Sequence, residues 1–208
     1  MIFISFALAA APALLLVRYF YRQDKAKPEP KGLVIKVFLF GTASALAAIP
    51  LEFAVSAFER LLNPASLFVA LFRAFIVAGL VEEYLKLTVV RLTTYRQEAF
   101  DEVMDGVVYT VVAGLGFACL ENILYVFGGT LVTALIRAFT AIPLHAVASG
   151  MMGYRLGCAR MASSSREEKA LIAVGLVEAV LVHGLYDFLI FVRPLWGPAA
   201  FFGVIVLI

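Results

Sequence analysis

Residues Leu67 to Val90 read LFVALFRAFIVAGLVEEYLKLTVV. As a helix rising about 1.5 Å per residue, this run is long enough to cross a hydrocarbon core about 30 Å thick. It nevertheless carries Arg73, Glu82, Glu83 and Lys86. An ionisable side chain at the bilayer centre costs about 2.5–3.5 kcal/mol on insertion scales. Four in one span must therefore face protein or water. Such a span belongs to a helical bundle with a polar interior.

The rest of the chain supplies the bundle. Of its 208 residues, 63% are hydrophobic and only 15% charged, and mean hydropathy is +0.97. A soluble domain keeps about a quarter of its residues charged, so this chain cannot cover itself in water. Further apolar stretches run over Ile2–Tyr21, Leu33–Phe58, Gly106–Phe127, Leu131–Gly157 and Leu171–Val192, with a shorter one over Leu195–Ile208. The first reads as a retained span, because its basic residues follow it instead of preceding it as in a signal peptide. A turn is expected at Asn63-Pro64, and Phe100 points to an interfacial loop. Barrel-type alternation and internal repeats are absent. The expectation is an all-α, polytopic helical membrane bundle of about seven transmembrane helices, one domain over 1–208.

Arg22, Lys25, Lys27, Lys31, Arg91, Arg96, Arg160, Arg166 and Lys169 fall in the loops after the first, third and fifth spans. The positive-inside rule places those loops in the cytoplasm and the N-terminus outside a cell membrane. A net charge of +2 gives no reason to expect a nucleic-acid partner. Cys119 and Cys158 lie in apolar stretches and read as packing residues, not a disulfide framework.

Several intramembrane polar residues are spaced as helical neighbours. Glu82 and Lys86 are i,i+4 and share a face, so Lys86 can neutralise one carboxylate while the other points about 100° away. Glu121 lies in an apolar helix, with Asn122 beside it as an amide donor. Both histidines are within spans: His145 after Pro143, and His183 four residues before Asp187, whose carboxylate can orient the imidazole. Glu52, Arg73, Arg137 and Glu178 fit no such spacing and read as structural pairs or interfacial side chains. Counted along the spans, Glu121 and the Glu82–Glu83 pair differ in depth by roughly 10 Å. They therefore form one site only if the boundaries shift.

Glu, His and Asp together serve acid–base work or metal ligation. No HExxH zinc signature and no GxSxG nucleophile motif occurs. What is left is an activated water, deprotonated by a buried Glu or bound to a zinc held by Glu121, His145 and His183. A proton-coupled transporter would use the same acids as a relay, and a scaffold would pair them all and leave no cavity.

Glu82-Glu83-x-x-Lys86, Phe117-x-x-x-Glu121 with Asn122, mid-span His145 and His183-x-x-x-Asp187 resemble, in that order, the PrsW family of intramembrane proteases. The resemblance covers about Leu67 to Val192. The related CAAX prenyl endopeptidases differ at Lys86 and Glu121, where they carry an Arg one position later and a His. The resemblance implies an endopeptidase that cuts a single-span, membrane-anchored protein, of anti-sigma-factor type in the best-known case. It implies Glu82, Glu83, Glu121, His145, His183 and Asp187 as catalytic residues, supported by Lys86, Phe117 and Asn122. Water activation by glutamate without a metal is favoured over zinc held by Glu121, His145 and His183. The partners expected are the membrane-anchored substrate and the lipid bilayer.

Overall fold

The computed structural model describes residues 2–25, 27–57, 66–128 and 131–192. Among them every regular element is helical: α1 (Ile2–Tyr21), α2 (Lys31–Ser56), α3 (Leu67–Phe72), a π-helical segment (Arg73–Leu80), α4 (Val81–Thr93), α5 (Val103–Gly128), α6 (Leu131–Phe139), α7 (Ala141–Arg160) and α8 (Ser165–Phe191). The expected turn at Asn63-Pro64 and the short last stretch lie outside the described residues. The chain stays helical through both ends of the π segment, so Leu67 to Thr93 forms one rod. Ser66 caps it by accepting the Val69 N–H at 3.2 Å.

Among the described residues, four helical stretches are long and apolar enough to cross a membrane: Lys31–Ser56, Val103–Phe127, Leu135–Arg160 and Ser165–Phe191. The α5 span is the hub, with 78% of an apolar 18-residue stretch buried against 28% for the corresponding stretch of α8. Helices approach it closely because the contact positions are glycines. A Cβ on Gly106 would come within 2.4 Å of the Gly153 carbonyl oxygen in α7, and one on Gly116 within 2.3 Å of the Phe38 carbonyl oxygen in α2. The outward faces keep large apolar side chains exposed, among them Leu39, Phe40 and Phe53 of α2, as a lipid-facing surface requires.

One expectation is refined and one corrected. The fifth apolar stretch keeps the length of a span but is interrupted at Thr140: α6 ends at Phe139 and α7 starts at Ala141. Pro143 explains the break, since its ring clashes with the carbonyl four residues back, at Phe139, and it donates no N–H. Phe100 is not an interfacial side chain. It is fully buried, stacked on Tyr109 at 6.0 Å and edge-on to Tyr95 at 5.4 Å.

The three basic loops gather at one end of the bundle. Lys27 of the α1–α2 loop pairs with Asp101 of the α4–α5 loop, and Tyr95 donates to Glu168 at the start of α8 at 3.0 Å.

Candidate active site

The polar cluster is assembled by α4, α5, α6, α7 and α8 around Lys86. Its ammonium is fully buried and donates to Glu83 Oε1 at 2.7 Å and Glu82 Oε2 at 3.4 Å. The nearer partner is thus i+3, not i+4. Both positions flank one helical face, so both acids reach the ammonium and neither points away. Phe117 lies beneath it, with the Lys86 nitrogen 4.5 Å from the ring centroid.

The histidines divide the work. Lys86 Nζ is 2.8 Å from His145 Nδ1. An ammonium has only hydrogens to offer, so Nδ1 accepts and the ring proton sits on Nε2. That Nε2–H points at Glu121 Oε2, 3.0 Å away. His183 is held the other way round. Its Nδ1–H donates to Glu83 Oε1 at 2.7 Å, which turns Nε2 towards Asp187 Oδ2 at 3.4 Å and Glu82 Oε2 at 3.8 Å. A bare lone pair facing two carboxylates is repulsive, and a proton, a metal ion or a bridging water between them relieves it. The two rings meet edge to face at 4.9 Å.

The depth difference between Glu121 and the Glu82–Glu83 pair is closed by a third helix. His145 of α7 touches Lys86 with one ring nitrogen and Glu121 with the other. All six acids and histidines expected at the site therefore lie in one cluster, with Lys86 and Phe117. Asn122 is not brought in. Consecutive helical positions point about 100° apart, and its Nδ2 donates to the Ala9 carbonyl of α1 at 3.0 Å. It ties α1 to α5.

Arg137 is the residue that sequence spacing misses. Its Nη2 lies 2.8 Å from Glu121 Oε1, and its guanidinium stacks 3.9 Å above the Tyr125 ring. Its charge in an apolar helix was the available signal, but its partner lies on another helix. Glu178 pairs with Arg155 at 2.7 Å, as a structural role requires.

A cavity of ≈ 770 Å³ opens beside the cluster. Glu82, Glu121, Asp187, Arg137 and Glu52 line it, with apolar walls from Ala45, Ile49 and Val77. Polar residues that open on a cavity are not the fully paired set of a scaffold. Glu83, wholly buried behind Glu82, does not line it.

The metal question can be put to the donors. Glu82, His145 and His183 each offer one ligand atom, all within 4.8 Å of one another. Two imidazoles and a carboxylate suit zinc, and the Glu83 bond to His183 Nδ1 orients that ring as metal-bound histidines are oriented. His145 can join only once Lys86 withdraws from Nδ1, because its free electron pair faces the ammonium. The trio is not the expected one. Glu82 stands where Glu121 was expected, while the two Glu121 oxygens face Arg137 and His145.

Comparison with known proteins bears on the family. A family model described as PrsW family intramembrane metalloprotease matches residues 29–208. Protease PrsW of Geobacillus kaustophilus is 34% identical over 187 residues, covering 90% of this chain and 80% of that protein. Protease PrsW of Bacillus subtilis is 34% identical over 186 residues, covering 89% and 82%. Protease PrsW of Oceanobacillus iheyensis is 36% identical over 180 residues, covering 86% and 80%. No solved structure matches the chain.

Proposed function

Since the chain belongs to the PrsW family of intramembrane proteases, we propose that it cuts a membrane-anchored protein with water activated by Glu82. One observation carries the choice of Glu82: it is the carboxylate of the pair that both lines the cavity and faces His183 Nε2. Glu83 commits Oε1 to Lys86 and His183, so its role is to position them.

On this reading a water lies between Glu82, His183 and Asp187. Glu82 takes one of its protons as the oxygen attacks the scissile carbonyl, then delivers that proton to the leaving amine nitrogen. Asp187 keeps His183 facing the water. The carbonyl oxygen gains negative charge during attack, and Arg137 supplies a cation on the cavity wall. The apolar walls suit a transmembrane segment as substrate. The substrate class is a single-span protein of anti-sigma-factor type, carried by the family resemblance alone. In a bundle of about seven spans, α1 and the Leu67–Thr93 rod cross the membrane beside the four apolar helices to make six, and the stretch Leu195–Ile208, outside the described residues, is the candidate for the seventh.

The second reading is the metal-dependent one. It rests on the printed description of the family and on the Glu82, His145 and His183 donor set. These three residues would hold zinc, which supplies an acidified water and polarises the substrate carbonyl.

The test uses purified full-length protein in nanodiscs with a single-span peptide. Metal-free chemistry expects cleavage to survive exhaustive chelation and to vanish in Glu82→Gln. Activity lost on chelation and restored by Zn²⁺ overturns it in favour of zinc. Full activity in Glu82→Gln sinks both readings.

A further inference from the structure

A second acidic cluster lies at the loop end of the bundle, far from the first. Asp105 is in the first turn of α5 and Glu121 sixteen residues along it, roughly 24 Å at 1.5 Å per residue. Asp24, Glu29 and Asp105 are all buried there, at 5%, 4% and 1% exposure, and Glu102 stands at the rim.

The local partners leave most of this charge unanswered. Asp105 Oδ2 accepts the N–H groups of Asp101 and Glu102 at 2.8 and 2.7 Å, capping α5. Glu29 accepts the Tyr109 hydroxyl. Lys27 places its ammonium on Asp101, where it is largely exposed. Asp24 accepts one long bond from the Lys27 N–H at 3.4 Å, and its other oxygen, Oδ2, is buried with no partner. A buried carboxylate oxygen without a donor or cation costs the full price of its desolvation. Asp24, Glu102 and Asp105 each present an oxygen within 4.8 Å of the others. Two oxygens bound to one Ca²⁺ at about 2.4 Å can lie no more than about 4.8 Å apart, a limit that each pair of the three oxygens meets.

We propose that Asp24, Glu102 and Asp105 bind a divalent, oxygen-seeking cation of the Ca²⁺ or Mg²⁺ class, which clips the α1–α2 loop to the start of α5. The donor set contains only carboxylate oxygens and no imidazole or thiolate. It therefore selects hard cations over zinc and separates this site chemically from the one at Glu82. The ion supplies the positive charge that Asp24 lacks. It also joins two segments that contribute no regular structure to each other.

The test is thermal unfolding and calorimetric binding with full-length protein in nanodiscs, stripped with chelator and titrated with Ca²⁺ or Mg²⁺. The expected result is saturable binding and a rise in melting temperature in the wild type and in Glu82→Gln, both lost in Asp24→Asn. Glu102→Gln keeps the test decisive if Asp24→Asn does not fold, because Glu102 is a rim residue and its loss of binding would not reflect a broken core. No response in the wild type overturns the proposal. So does a response that persists in Glu102→Gln, or one that disappears in Glu82→Gln, which would put the ion in the other cluster.

Discussion

Lys86 is a cation that Glu82, Glu83 and His145 share. Taking one partner from a buried ion pair costs about 3–5 kcal/mol, chiefly because the other charge is stranded. Lys86→Met should therefore lower the melting temperature sharply and abolish cleavage. Lys86→Met combined with Glu83→Gln should regain much of the lost stability without regaining activity, because no charge is then left stranded behind Glu82. Unfolding curves for the two single variants and the double variant read this directly. Additive losses would show that Glu83 does not depend on Lys86. The sequence showed part of this arrangement. Glu82 with Lys86 and His183 with Asp187 are legible because helical spacing alone brings them together. The bonds from Glu83 to His183 and from Glu121 to His145 and Arg137 cross between helices, and no spacing rule reaches them.

At the level of elements, the site depends on how closely α8 approaches the rod that carries the glutamates. A Cβ on Gly184 would come within 2.4 Å of the Phe75 ring in the π segment. His183 is its neighbour in sequence, so space made for a methyl group there moves the imidazole away from Glu83. Overpacking of this kind costs about 1–3 kcal/mol. Gly184→Ala should lose cleavage activity and some stability, and Phe75→Ala on top of it should restore both by vacating the space. A double variant no better than Gly184→Ala alone would mean that Phe75 does not set the spacing. The break at Thr140 was open to sequence reasoning, because Pro143 forbids a continuous helix. The π-helical turn at Arg73–Leu80 was not. Its residues form an ordinary apolar run, and the extra residue per turn follows from packing against α8, which the local sequence does not record.

Over the whole molecule, the composition made the membrane legible, and four helical stretches among the described residues meet its length and apolarity. The rod from Leu67 to Thr93 looks least like a span, because it carries the residues that the site needs. The three basic loops share one end of the bundle, so the membrane potential and the anionic inner leaflet act on them together. Charge bias of this kind should place that end in the cytoplasm and the start of α1 outside. Ser163, exposed between α7 and α8, is a suitable reporter. In a background where Cys119 and Cys158 are replaced by Ser or Ala, Ser163→Cys should resist a membrane-impermeant thiol reagent in intact cells and react in inverted vesicles. Labelling in intact cells would turn the bundle over. The acidic cluster at Asp24 would then meet extracellular cations instead of cytoplasmic ones, and the cavity beside Glu82 would open towards the opposite leaflet.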